Sequence, residues 1–244
     1  MPVDFYQSQF TVTENECDME KRMMPGAILR RVQQISTDQC TSLGITSDIY
    51  ERTQTAFLLA KTVLEVYAPI TADTPITMIT RPSAPKRAVY FRYTTLQNAA
   101  GEVLAAADSR WVLVDTVARR ILRKAPKEIE ACFLASPEKE LNMAIHTTNT
   151  TVSGKETASY TRCDKNHHLN NTVYADIICD YLPLEILREK YPTRIAITYH
   201  KEVAQGKSFA LHSGMTEAGS YYFCGKNGDV NHFEAEVYLD FLKR

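Results

Sequence analysis

Between Met24 and Leu43 the apolar residues Ile28, Leu29, Val32, Ile35 and Leu43 recur at helical spacing, with Pro25 at the start and Gly44 just past the end. Proline fits a first helical turn and glycine readily ends one, so this segment predicts a long helix. The period then drops to two. Leu58, Ala60, Thr62, Leu64 and Val66 predict one face of a strand, Asp73-Thr74-Pro75 a turn, and residues 76–80, 90–96 and 102–115 further strands, the last two joined through Asn98-Ala99-Ala100-Gly101. This helix-then-sheet unit runs to about Arg123.

The stretch 125–156 is interrupted by Pro126 and Pro137 and is small and polar from Thr147 to Gly154, so it reads as a linker. After it the order of elements returns. A helical pattern from Asn171 through Val173, Ile177, Ile178 and Tyr181 meets Pro183, and strands follow at 194–203, 208–216 and 220–226. A last strand alternates Phe233, Ala235, Val237, Leu239 and Phe241 against Glu234, Glu236, Tyr238 and Asp240. The two helix starts, Pro25 and Asn171, lie 146 positions apart, which points to an internal duplication. A helix followed only by hairpin-connected strands is best buried when the sheet curls around it, the hot-dog arrangement. The expected architecture is therefore α+β, a tandem hot-dog with two long helices each wrapped by an antiparallel sheet. The units are expected at 1–124 and 157–244, with a linker at 125–156.

Composition narrows the function classes. The 244 residues are 44% hydrophobic and 23% charged, an ordinary globular balance, and 28 Lys plus Arg against 29 Asp plus Glu leave a net charge of -1. No whole-chain field favours nucleic acid or an anionic membrane, and no apolar run approaches the roughly 20 residues of a membrane helix. Without a basic-then-apolar leader, a cytoplasmic address is expected. The six cysteines, Cys17, Cys40, Cys132, Cys163, Cys179 and Cys224, contain no C-x-x-C pair and are expected reduced.

The densest set of catalytic side-chain types is Asp164-Lys165-Asn166-His167-His168-Leu169-Asn170-Asn171, just before the second helix. Unpaired N–H groups and the helix dipole favour negative charge there, as an attacked carbonyl would present. Asp164 offers a base or orienter, Asn166 a neutral donor and His168 a donor or acceptor, a mixture suited to acyl transfer to water. Asn170 or Asn171 can equally serve as a simple helix cap. Cys163, Asp164, His167 and His168 are metal-ligand types, but no second ligand pair follows at zinc spacing, and the glycine-rich nucleotide motifs are missing. The matching part of the first unit, read as Lys21-Arg22-Met23-Met24, carries no such set, so one active site per chain is expected.

The pattern D-x-N-x-H-x-N-N, from Asp164 to Asn171, resembles the active-site motif of the acyl-acyl-carrier-protein thioesterases of plants and bacteria. Phe57 to Glu65, Gly101 to Ala105 with Trp111 to Asp115, and Tyr199-His200-Lys201-Glu202 resemble further segments of that family in order and spacing. The resemblance implies a double hot-dog fold and hydrolysis of medium- or long-chain acyl-carrier thioesters to free fatty acid. It also implies a catalytic set at Asp164, Asn166, His168 and Glu202. Many relatives have a cysteine directly after that glutamate; Val203 stands here, which favours carboxylate-assisted attack by water. On a strand, Glu202 would share a face with His200. No metal or cofactor is implied. The partner implied is an acyl carrier protein with a phosphopantetheine-linked chain, and the sequence is compatible with a homodimer. An apolar pocket in the first unit is expected from Met23, Met24, Ile28, Leu58, Met78 and Trp111. A docking patch for an acidic carrier is expected at Arg119, Arg120, Arg123 and Lys124, with Lys86, Arg87 and Lys165 as other candidates. Rival readings on this fold are an acyl-CoA thioesterase, a non-catalytic acyl-binding protein and a hydratase.

Overall fold

The structure is a computed structural model, and it describes residues 5–130 and 139–242; Cys132 lies outside them. The first half runs β1 (Tyr6–Thr11), a 3-10 turn (Glu14–Glu16), α1 (Pro25–Ser42), α2 (Ser47–Thr53), β2 (Thr55–Val66), β3 (Pro75–Lys86), β4 (Val89–Gln97) and β5 (Val103–Asp115). A short β6 (Arg120–Ile121) and α3 (Lys127–Glu130) follow. The second half repeats the order as β7 (Thr151–Thr157), a 3-10 turn (Tyr160–Arg162), α4 (Val173–Asp180), α5 (Leu184–Glu189), β8 (Tyr191–Tyr199), β9 (Ser208–Met215), β10 (Tyr221–Asn227) and β11 (Val230–Asp240).

All strands form one antiparallel sheet in the order β1-β3-β4-β5-β2-β8-β11-β10-β9-β7, with β6 beside β5. The order is a palindrome of the two halves. They join where β2 pairs with β8, Val63 opposite Ala196, which sets a pseudo-twofold axis there. Both central helices lie on one face of this sheet. Ile28 of α1 and Ile177 and Ile178 of α4 share a single buried cluster with Leu64, Ile195, Ile197 and Phe233, so one core spans both halves. Each such side chain contributes about 1.5–3 kcal/mol on burial.

The second helix is shorter than expected. α4 has 8 residues against 18 in α1, because Pro183 lacks an N–H and stops it; the chain restarts as α5. α1 and α4 cross closely at Gly26. A Cβ there would sit 1.8 Å from Asp176 Oδ1, and the same carboxylate takes Arg30 Nη1 at 2.6 Å, a residue 146 positions earlier in the chain.

Two expectations of strand structure fail for identifiable reasons. The β2–β5 register slips between Leu59 and Lys61, a bulge that reverses the alternation upstream of it. Leu59 therefore shares the helix-facing side with Thr62 and Leu64, and Leu58 turns outward, 47% exposed. The 125–156 stretch is more than a linker: it supplies α3, and its end forms β7 at the sheet edge. Between them residues 139–150 run over the outer face, where Leu141 packs on Val63, Ala106 and Ala196. Two buried outward-facing carboxylates hold this strap: Asp108 Oδ2 accepts Leu141 N at 2.8 Å and Glu236 Oε2 accepts His146 N at 3.1 Å. Burial pushes the Asp108 carboxyl up to about 6, against the opposing pull of the Leu141 amide and Arg110. Burial acts the same way on Glu236, but hydrogen bonds from the Ser220 hydroxyl and the His146 amide hold it below its usual value.

Candidate active site

The loop from Cys163 to Leu169 is closed by its own backbone. Cys163 and Leu169 form an antiparallel bridge, Asp164 N donates to His168 O at 2.9 Å, and His167 N donates to Asp164 O at 3.0 Å. His167 takes the left-handed conformation, φ 61°, that turns the chain back. Asp164 Oδ1 accepts Asn166 N at 2.8 Å, so this carboxylate braces the loop while its other oxygen stays available. Asn166 is exposed; Asp164 and His168 are half-buried.

A second segment runs beside this loop. Leu169 N donates to Val203 O at 2.9 Å, Gln205 N donates to His167 O at 2.8 Å, and His168 bridges Ala204. Glu202, the residue before Val203, is thereby brought to the loop that carries Asp164, Asn166 and His168. The structure corrects its setting, however. β8 ends at Tyr199, and Glu202 sits exposed in the connection that follows. His200 N and Lys201 N both donate to His232 O, at 2.9 and 3.1 Å, which bends the chain and ends the alternation expected to place Glu202 with His200. The Glu202 charge reaches the buried Tyr174: burial raises that phenol's pKa most, and Glu202 adds to the rise.

The motif's two asparagines are more than caps. Asn170 Oδ1 accepts from Thr172 N at 2.9 Å and from the Thr172 hydroxyl at 2.8 Å, which orders the start of α4. Asn171 accepts the Tyr199 hydroxyl on its backbone oxygen at 2.9 Å, while its side-chain Oδ1 is buried without a hydrogen-bond partner among the described residues. Asn171 lines a narrow apolar slot of about 20 Å³ between α1 and the inner face of β2 and β5. Leu29, Val32, Leu59 and Trp111 line it. Trp111 is ordered by its indole N–H, which donates to Ser109 Oγ at 2.9 Å. Of the six residues expected to form an acyl pocket, Trp111 is on this wall and Leu58 is on the opposite face of the sheet. Met23, Ile28 and Met78 are at most 1% exposed in the common core, and Met24 packs against that core. Leu59 was the residue to choose, but the bulge that selects it has no signal in the alternation.

The first half contains a copy of the loop, at Asp18–Arg22 rather than Lys21–Met24. Cys17 bridges Met23 as Cys163 bridges Leu169, Asp18 N donates to Arg22 O at 2.7 Å, and Lys21 repeats the left-handed turn of His167 at φ 62°. Asp18 keeps the place of Asp164 and Arg22 replaces His168. Arg22 is spent on structure: its guanidinium holds Asp18 Oδ2 at 2.9 Å and donates to Leu187 O at 2.6 Å and Lys190 O at 2.9 Å in the other half. This copy is a bracket between halves.

Arg120 pairs with Asp115 in the β5–β6 hairpin, and Arg119, Arg120, Arg123 and Lys124 are all exposed. Because Lys61, midway along β2, pairs with Thr198, β8 runs out toward the end of the sheet at which β2 begins and β5 leads into β6. The basic run and Glu202 thus belong to the same end of the sheet.

Residues 3–133 match the family model described as the acyl-ACP thioesterase N-terminal domain, and residues 146–236 match that of the acyl-ACP thioesterase C-terminal domain. The chain belongs to the acyl-ACP thioesterase family. It is 27% identical over 132 residues to a chloroplastic palmitoyl-acyl carrier protein thioesterase of Cuphea hookeriana, a match covering 50% of this chain and 32% of that protein. The matched segment thus spans about a third of that relative's length. Among solved structures, an acyl-ACP thioesterase from Bacteroides thetaiotaomicron superposes with TM-score 0.87 at 17% identity, covering 97% of this chain and 98% of that one. The 12:0-ACP thioesterase from Umbellularia californica gives 0.86 at 17% identity, covering 99% of each. At these identities the superpositions speak for the fold, and it is the double hot-dog. No helix among the described residues is long and apolar enough to cross a membrane.

Proposed function

We propose that this protein hydrolyses the thioester of medium- or long-chain fatty acyl groups carried on acyl carrier protein, releasing free acid in the cytoplasm. The reading is carried by one observation: the apolar slot is lined by Asn171, which follows directly on the loop whose Asp164–His168 segment runs beside the connection bearing Glu202. An acyl chain in the slot brings its carbonyl to that loop. Asp164 or Glu202 takes the proton of the attacking water, His168 orients it, and the Asn166 amide with the start of α4 meets the developing oxyanion. The tetrahedral intermediate then expels the carrier thiolate, which is reprotonated. With Val203 after Glu202, no cysteine is available there as a nucleophile. Arg119, Arg120, Arg123 and Lys124 supply positive charge for an acidic carrier.

The test is hydrolysis of acyl-carrier thioesters, with the released thiol detected, by Asp164→Asn, Glu202→Ala and the parent. Asp164→Asn keeps an oxygen to accept Asn166 N, so the loop survives while the base is lost. Each variant is expected to lose about 100-fold in kcat, as for removal of a positioned acid–base group, with native circular dichroism. Full activity in either variant overturns that residue's role, and release from acyl-CoA but not from acyl-carrier substrate replaces the carrier reading.

A further inference from the structure

The outer face of the sheet carries a surface that neither the candidate site nor the strap uses. Asp108 pairs with Val63, Val63 with Ala196 and Ala196 with Glu236, so Asp108 and Glu236 are equivalent positions in one row across the pseudo-twofold axis. Side chains on one face of a strand recur at every second residue. From Asp108 the outward positions of β5 are Arg110, Val112 and Val114; from Glu236 those of β11 are Tyr238 and Asp240. The fold accepts an exposed Asp240 where the first half has Val112, so an apolar residue there is no demand of the architecture. Val112 also has apolar neighbours. Val89 of β4 and Leu58 of β2 pair with it, and Ala56 and Ile121 pair with Val114. The strap packs on Val63, Ala106 and Ala196 and leaves this stripe open, with Leu58 47% and Ile121 54% exposed. The rim is basic. Lys61 on β2, Arg87 at the β3–β4 turn, and Arg119, Arg120, Arg123 and Lys124 around the β5–β6 hairpin are exposed and, among the described residues, make no ion pair.

We propose that this face docks on an anionic lipid surface, Leu58 and Ile121 entering the interface while the surrounding cations meet lipid headgroups. An exposed apolar stripe edged by Lys and Arg suits a bilayer, because burial of the stripe and attraction of the cations to anionic lipid add. The whole chain carries a net charge of -1, so the attraction belongs to this patch and weakens with salt. The basic hairpin alone would serve an acidic carrier equally well. The apolar stripe favours lipid, since charge pairing in water has no need of an exposed Leu58 and Ile121 on a flat sheet face. Carrier and bilayer then compete for the run from Arg119 to Lys124. Lipid docking does not depend on the hydrolase reading; with that reading, it delivers the freed acid at a surface that dissolves it.

The experiment is sedimentation of the full chain with vesicles of phosphatidylcholine alone, or of equal parts phosphatidylcholine and phosphatidylglycerol, in low and high salt. The parent is expected to bind the anionic vesicles in low salt, to leave them in high salt and to ignore the neutral ones. Leu58→Glu/Ile121→Glu puts carboxylates into the stripe at exposed positions, so circular dichroism should stay native. It should weaken binding to anionic vesicles at least about tenfold and leave KM for the acyl-carrier substrate at the parent's value. Leu58→Trp reports the contact directly: Trp111 is the chain's one tryptophan and faces α1, so a blue shift of the added indole on anionic vesicles puts this face against lipid. No binding by the parent, equal binding to neutral vesicles, undiminished binding by the double variant, or no blue shift overturns the proposal. A raised KM for the acyl-carrier substrate in the double variant also overturns it and gives the stripe to the carrier protein. The vesicle measurements need no turnover, so their outcome is separate from that of the hydrolase reading.

Discussion

Filling the slot from Leu59 should shorten the acyl chain that the enzyme accepts, whereas the same change one residue earlier should do nothing. Leu59 stands opposite Trp111 on the slot wall, and Leu58 points outward from the other face at 47% exposure. Leu59→Trp replaces an isobutyl group by an indole and excludes about three methylenes of a chain that reaches the wall. At about 0.8 kcal/mol per buried methylene the loss is about 2.4 kcal/mol. With 1.36 kcal/mol per tenfold in rate, that is about 60-fold in kcat/KM. The assay is kcat/KM across saturated acyl-carrier thioesters of increasing length. Long chains should fall by that factor and short ones should keep the parent's values, with Leu58→Trp tracing the parent throughout. An altered length profile in Leu58→Trp, or a uniform loss at every length in Leu59→Trp, refutes the assignment of the slot and of the face that lines it.

Gly26→Ala should destabilise the fold by about 1–3 kcal/mol, the usual cost of overpacking, because its Cβ forces Asp176 away from Arg30; chemical denaturation should show most of that loss recovered in Gly26→Ala/Asp176→Ala. Asp108 holds its proton up to about 6 when folded against an ordinary value of 3.8, so its contribution to stability falls as pH rises through that window. The difference in unfolding free energy, Asp108→Asn minus parent, should therefore grow from pH 4 to 6, and a shrinking difference contradicts the buried-carboxylate account. Reversing Arg120 and Arg123 to Glu should raise KM for the acyl-carrier substrate in low salt, with the gap narrowing as salt shortens the Debye length to about 8 Å or less, and should leave the KM of a small acyl thioester near the parent's. An equal rise on both substrates would move the docking surface elsewhere.

Much of the architecture is legible in the chain because burial of a helix stripe or a strand face leaves a period. Pro25 and the spacing from Ile28 to Ile35 mark α1, the alternation from Phe233 to Val237 marks β11, and the 146-residue offset announces the duplication. The same offset places Asp18 opposite Asp164, and only an alignment on the helix-proximal residues hid it. Edge strands leave a weaker mark: in β7 the only large apolar side chain is Val152, 66% exposed, so no alternation betrays a strand whose place depends on hydrogen bonds to β9. The candidate catalytic residues Asp164, Asn166 and His168 could be read locally since they lie within one loop. Their relation to Glu202 could not, because it depends on Leu169 and His167 pairing with the Val203–Gln205 segment. The one-residue bulge that exchanges Leu58 for Leu59 and the buried carboxylates under the strap are likewise tertiary. Periodicity records which side of its own element a residue occupies; a register slip or a contact between distant segments is decided by packing energies that no single segment contains.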